Sequence, residues 1–287
     1  MANQNYDLNV LSLGAGVQST AVYLMALDGQ FDSMPDCAIF ADTQWEPAEV
    51  YAQLQRLIEE GGKTIPIHIV TEGNLREDVL KVVGPPGQRL GRVANPPFYV
   101  KRNEEESRID NLPPSSGGKL WRDCTSEYKI KPIHKKIRSL LGYQKGERIH
   151  KNVRQWFGIS TDEAQRMRDS RERWIANYYP LIEKLFSRTD CEKYLKRRGY
   201  GEVIKSSCIG CPFHSNHTWV HMKRHRPDDW ADAVDFDHKL RNGKLPGVIG
   251  DAYLSRRCEP LEEAIKHDYD ENQMDLWGEE CEGMCGV

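Results

Sequence analysis

Two groups of residues in this chain have the types and spacing to do chemistry. The first is Gly14-Ala15-Gly16-Val17-Gln18-Ser19, which closes an apolar run and leads directly into a helical pattern. Small residues at Gly14, Ala15 and Gly16 let the backbone curl, so that successive N–H groups can converge on an anion. A helix beginning near Val17 adds the positive end of its dipole, and the Ser19 hydroxyl adds a donor. The chemistry this suits is phosphate binding. No Gly-Lys-Ser/Thr follows, as in a Walker A loop, and the dinucleotide G-x-G-x-x-G is absent. Taken alone, the loop is either an anion cradle or a strand–helix turn that needs glycine for geometry. Asp42, after the next apolar run, sits where open α/β sheets bind ligands and could hold Mg2+ or a nucleotide group. Its other role is as an N-cap, and Glu46 before Pro47 reads as a partner of the same helix dipole.

The second group is Cys208-Ile209-Gly210-Cys211, whose spacing lets two thiolates bind one metal or cluster. Cys124 is the candidate third ligand. Three cysteines leave one iron of a 4Fe-4S cluster open to a sulfide or a substrate sulfur. Zinc is the rival, because His214 and His217 complete a C-x2-C-x2-H-x2-H pattern. A redox dithiol is the third option. The tail adds Cys281 and Cys285, either of which could supply a fourth cluster ligand. Glu280 and Glu282 beside Cys281 would raise its thiol pKa by like-charge repulsion. Cys37 reads as a small buried hydrophobe, and Cys191 and Cys258 have no partner spacing.

The elements that must position these groups alternate through the first 80 or so residues. Leu8 to Leu13, Asp36 to Ala41 and Ile65 to Val70 read as buried strands, with helices over Val17 to Leu27, Pro47 to Ile58 and Leu75 to Val83. That order predicts a parallel sheet covered on both faces. Residues 84–124 are rich in Pro and Gly and lack periodicity, which suits a functional loop insertion. A helix over Ser126 to Leu141 and a strand over Asn152 to Ile159 follow. The expected organisation is an α/β domain over 1–160 and a helical, Cys-rich region over 161–287, with Trp156, Trp174 and Trp219 as core.

The chain has 287 residues, eight cysteines and a formal net charge of −3. No stretch approaches the roughly 20 apolar residues of a membrane span. The start, MANQNYDLNV, lacks a basic and an apolar secretion signal, and clustered cysteines without one suit a reducing cytoplasm. The charge is uneven. Between Lys129 and Arg154 the chain is strongly basic, which suits either a solvated helix face or a nucleic-acid partner such as tRNA or DNA. Arg166, Arg168, Arg171 and Arg173 are further anion-binding candidates.

The loop S-L-G-A-G-V-Q-S followed by A-D-T-Q-W-E-P resembles the PP-loop superfamily, and within it the phosphoadenosine phosphosulfate (PAPS) reductase-like branch. Further matches are Arg122-Asp123-Cys124-Thr125 with Lys129 and Pro132, and Gly158-Ile159-Ser160 with Asp162-Glu163. The resemblance implies a five-stranded parallel sheet of the adenine nucleotide alpha hydrolase type. It implies ATP cleavage between the α and β phosphates, or binding of PAPS. Gly14, Ala15, Gly16, Gln18, Ser19, Asp42, Thr43, Gly158 and Ser160 would then hold the nucleotide, with Arg122 and Lys129 neutralising developing charge. PP-loop tRNA thiolases use a three-cysteine cluster, which implies the same for Cys124, Cys208 and Cys211. PAPS reductases carry a nucleophilic cysteine in a C-terminal E-C-G-type segment, to which Cys281 is similar in position. The chain departs from the commoner S-G-G-x-D-S loop: Gly14 stands at its serine, Ala15 at its first glycine and Gln18 at its aspartate. Either reaction needs a reductant or sulfur-donor protein, and a homodimer is compatible with the sequence.

Overall fold

The structure, a computed structural model, describes residues 6–85, 94–102 and 118–266. The apolar runs form parallel strands: β1 (Leu8–Leu13), β2 (Cys37–Ala41), β3 (Ile67–Val70), β6 (Val153–Phe157) and β7 (Ile175–Tyr178), in the order β3-β2-β1-β6-β7. Each neighbouring pair is parallel. The expected five-stranded parallel sheet flanked by helices is therefore present. Its last strand, however, lies beyond residue 160, in a stretch whose local pattern reads as helical.

Side chains alternate across the sheet with period two. Leu11, Leu13, Ala38 and Phe40 join a core that includes α1 (Val17–Leu27), α2 (Ala48–Gly61) and α6 (Arg188–Arg197). Val10, Cys37, Ile39 and Val153 face the other way, against Ile133 and Ile137 of α4 (Lys131–Leu140). Cys37 and Cys191 are buried in these cores. Trp156 is fully buried, edge-on to Phe31 and Tyr178. Trp156→Ala is expected to cost about 3–5 kcal/mol, measured as a lower urea midpoint with an unchanged slope.

A second core gathers α3 (Leu75–Val82), α7 (Asn216–His225), α8 (Pro227–Asn242) and a small antiparallel sheet, β5-β4-β8. The strands are β4 (Tyr99–Lys101), β5 (Gly118–Lys119) and β8 (Asp251–Tyr253). The described ends of the 84–124 insertion thus dock on a strand about 150 residues further along the chain. Two short helices, α5 (Pro180–Glu183) and α9 (Leu261–Ala264), complete the elements. Among the described residues, no helix is long and apolar enough to cross a membrane. The tail cysteines Cys281 and Cys285 lie outside the described residues.

Candidate functional site

Strand order reverses at β1: β2 and β3 lie to one side, β6 and β7 to the other. Ligands of open α/β sheets bind at such a switch point, beyond the carboxyl ends of the strands. The Gly14–Ser19 loop leaves β1 there. Gly14 N–H donates to Ser19 Oγ at 3.2 Å, and Ser19 Oγ donates to the Gly16 carbonyl at 3.3 Å, which closes the curl. Ala15 takes φ +55°, a left-handed conformation that favours glycine. The start of α1 carries no side-chain cap and no acidic residue in its first turn. Its first N–H groups and its dipole are thus directed at the space above.

That space is a cavity of about 110 Å³, lined by the loop together with Gly158, Glu46, Lys129, Arg188 and Lys205. Gly158 meets the loop so closely that a Cβ there would lie 2.6 Å from Ser19 N. Gln18 Nε2 donates to the buried Ser160 Oγ at 3.5 Å, tying the loop to the end of β6.

The segment after β2 is zipped onto the C-x-x-C turn. Ile209 N–H donates to the Trp45 carbonyl at 2.8 Å, and a Cβ on Gly210 would overlap the Trp45 ring at 2.0 Å. Buried Thr43 donates to Glu46 Oε1 at 3.1 Å and lies 3.3 Å from Cys208 Sγ. Cys208 Sγ itself reaches Glu46 Oε1 at 3.5 Å, and Lys129 Nζ pairs with the same oxygen at 3.4 Å. Glu46 Oε2 is buried and has no hydrogen-bond partner among the described residues. Glu46 is therefore a buried carboxylate between the cavity of the Gly14–Ser19 loop and a thiol, and not merely a helix-dipole partner. Asp42 directly follows β2, at the carboxyl edge of the sheet. Its Oδ1 accepts from Gln44 N–H at 2.7 Å and Tyr51 Oη at 2.8 Å, which fixes the turn before α2, and the cradle lining includes Glu46 instead.

Cys124, Cys208 and Cys211 line one small pocket with Thr43, Lys129 and Arg122, although Cys124 is far from the pair in sequence. Arg122 lies over the Phe213 ring at 5.9 Å, with its buried Nη1 lacking a hydrogen-bond partner among the described residues. A π-helical turn, Ser126–Ile130, carries Lys129 to both cavities. The pocket has a volume of about 30 Å³. Among the described residues, no three His, Cys, Asp or Glu side chains are grouped to hold a metal ion. The three cysteines of the expected 4Fe-4S site share one pocket but, as placed, are not grouped as ligands. Zinc fares no better: His214 bonds the Cys208 carbonyl at 3.0 Å and faces, with His217, a different cleft.

Burial, reinforced by the Glu46 carboxylate, pushes the Cys208 thiol well above its ordinary pKa, against the opposing pull of Lys129. Alkylation needs the thiolate. Cys208 should thus resist iodoacetamide near neutral pH and react as pH rises. Glu46→Gln removes the repulsion and should shift that rise to lower pH, as read by peptide mass spectrometry.

Several charges of the basic segment 129–154 are engaged within the fold. Lys131 pairs with Glu127 and Lys135 with Glu72, Arg138 donates to the Gln144 and Glu147 carbonyls, and Arg154 lies between Tyr6 and Tyr178.

No protein-family model matches the chain, and no curated protein does. Among solved structures, the chain is similar to the crystal structure of phosphoadenylyl-sulfate (PAPS) reductase from Candida auris in a phosphate complex. The TM-score is 0.37 and the identity 14%, over 71% of this chain and 78% of that one.

Proposed function

We propose that this chain is a PP-loop-type enzyme of sulfur chemistry that activates an acceptor with ATP and passes sulfur to it at the cysteine pocket. The observation that carries this reading is that the Lys129–Glu46 pair spans both cavities: Lys129 lines each, and Glu46 lines the cradle while holding Cys208. A polyphosphate seated on the uncapped start of α1 lies beside Lys129, whose charge offsets what develops on the departing pyrophosphate. Glu46 Oε2 is the cradle's candidate ligand for Mg2+, which neutralises phosphate charge when bound.

The reaction proceeds in two stages. An acceptor carbonyl oxygen attacks the α-phosphorus, the bond to the β-phosphate oxygen breaks, and pyrophosphate leaves. A persulfide on one cysteine of the Cys208–Cys211 pair, loaded by a sulfur-donor protein, then adds to the activated carbon and expels AMP. The other cysteine attacks the first one's sulfur, which releases the thiolated acceptor and leaves a disulfide for a cellular thiol to reduce. The alternative, sulfonucleotide reduction, depends on Cys281, outside the described residues.

Reduced protein supplied with ATP, a persulfide donor and mixed cellular RNA or DNA should release pyrophosphate and AMP in equal amounts. Sulfite from PAPS without pyrophosphate from ATP would overturn the assignment. Iron and acid-labile sulfide in protein prepared without oxygen would show that the pocket opens around a cluster, and would move sulfur delivery from thiol to metal.

A further inference from the structure

The interior of a parallel sheet covered on both faces is ordinarily apolar. The face of this sheet that packs on α4 departs from that rule at two neighbouring positions. Val10 and Val153 belong to the apolar core beneath α4, with Ile133 and Ile137. Two residues further along each strand, on the same face, stand Ser12 of β1 and Gln155 of β6. Val10 is registered opposite Gln155 and Ser12 opposite Phe157, so the two polar side chains are diagonal neighbours. Ser12 is 6% exposed and Gln155 3%. Groups buried to this degree cost stability unless they are hydrogen-bonded.

Their hydrogen bonds run in one direction. Half-buried His134 of α4 donates a ring N–H to Gln155, the sense of bond that favours the imidazolium. That N–H needs an oxygen, so Gln155 turns Oε1 towards His134 and Nε2 away from it. Nε2 donates to Ser12 Oγ at 2.7 Å. The Ser12 oxygen is thus already an acceptor, and what it has left to give is its proton. Among the described residues, that proton has no acceptor. Ser12 lines the cavity of the Gly14–Ser19 loop, together with Lys129 and the start of α1. The ring at the far end of the chain is itself held in place. His134 stands edge-on to Trp174, with centroids 5.9 Å apart, and Trp174 Nε1 donates to Glu172 at 2.9 Å. Burial keeps the imidazole below its ordinary pKa, against the pull of Glu172. The neutral ring still carries the one N–H that the arrangement requires.

We infer that Ser12 is a ligand of the nucleotide, donating its O–H to a phosphate oxygen, and that Gln155 and His134 are positioning residues that hold the hydroxyl in the donating sense. The inference rests on the adenine-nucleotide reading of this cavity. An ionised phosphate oxygen only accepts, so a hydroxyl that can only donate matches it. A serine free to turn would also present its lone pairs to the anion, which repel it. The binding floor therefore extends from the backbone of the loop into the strand that precedes it.

The test is isothermal titration calorimetry of the full chain with ATP, with thermal unfolding in the absence of ligand to show that each variant is folded. Ser12→Ala should weaken ATP binding about tenfold or more, the loss of one hydrogen bond to a charged group. Gln155→Glu keeps the size but leaves acceptors alone. With His134 donating to one oxygen, the other takes the Ser12 proton and turns the serine lone pairs towards the phosphate. Its loss should be at least as large as that of Ser12→Ala. Gln155→Met and His134→Phe merely release the hydroxyl, and each should cost less. The decisive variant is the double, Ser12→Ala with Gln155→Glu, which should bind ATP no more weakly than Ser12→Ala alone. A structural role for Gln155 would not produce that dependence. Adenosine, which has no phosphate, should not distinguish Ser12→Ala from wild type. Unchanged ATP affinity in Ser12→Ala would overturn the inference, as would a loss that extends equally to adenosine. A Gln155→Glu loss that adds in full to that of Ser12→Ala would also overturn it, because the carboxylate would then repel the nucleotide directly. Wild-type protein that binds no ATP would fail at an earlier step, removing the nucleotide reading together with this inference.

Discussion

Replacing Gly158 by valine is expected to weaken adenine-nucleotide binding by roughly a hundredfold, the equivalent of about 3 kcal/mol. A Cβ at Gly158 would stand 2.6 Å from Ser19 N and 2.8 Å from Gln18 C and Ser19 Cα. All three are backbone atoms, so no rotamer change relieves the overlap. β6 cannot slide away either, because Val153 to Phe157 is locked in register with Leu8 to Ser12 of β1. The displacement must fall on the start of α1, whose N–H groups lose their common aim. Overpacking of this kind costs about 1–3 kcal/mol of stability, so the loss of affinity must be read on protein shown to be folded. Thermal unfolding with and without ATP does this: wild type should be stabilised by the nucleotide, and the valine variant should not. Gly118→Ala, where a Cβ meets nothing within 4 Å, is the matched control. A Gly158→Val protein that kept its ATP response would mean that the nucleotide does not sit on this loop.

The strands that frame this site are plain in the sequence, because β2 is buried throughout and reads as an unbroken apolar run ending at Asp42, and β1 is apolar at four of its six positions before Gly14. The cradle is local as well, since one stretch of six residues supplies its curl and its helix start. What the sequence does not display is the partner across the gap. The zipper between Thr43-Gln44-Trp45-Glu46 and Cys208-Ile209-Gly210-Cys211 joins segments 165 residues apart, and periodicity carries no information over that range. One signal was there: a glycine between paired cysteines, where Trp45 needs a surface without a side chain. Glu46 looked like a helix-dipole partner because its burial depends on Lys129 and Cys208, neither of which is near it in sequence. Cys124, by contrast, was legible as a companion of the 208–211 pair through chemistry alone, and the fold does bring the three to one pocket. β4, β5 and β8 are two or three residues each, too short for alternation to register. Which charges of the basic segment are paired is likewise invisible to a count, because pairs such as Lys135 with Glu72 join distant positions.

The second large effect concerns that buried pair. Lys129→Met is expected to destabilise the fold by about 3–5 kcal/mol, because it leaves the Glu46 carboxylate buried without its counter-ion. The Glu46 side chain is 1% exposed and that of Lys129 14%, so water cannot take over the lost role. The Thr43 hydroxyl and the Cys208 thiol still reach Oε1, but neutral donors offset only part of a missing charge. Glu46→Gln alone should cost less, since Lys129 keeps more contact with solvent. If the cost of Lys129→Met is electrostatic, the double variant Lys129→Met/Glu46→Gln must recover most of it, because no unpaired carboxylate remains. Urea denaturation of the two single variants and the double gives the coupling directly. Strictly additive losses would show that the two side chains contribute only as packing. In that case they could not link the nucleotide to Cys208. Recovery of stability without recovery of pyrophosphate release would instead separate the two roles, with the pair dispensable for the fold once both charges are gone and required for the chemistry.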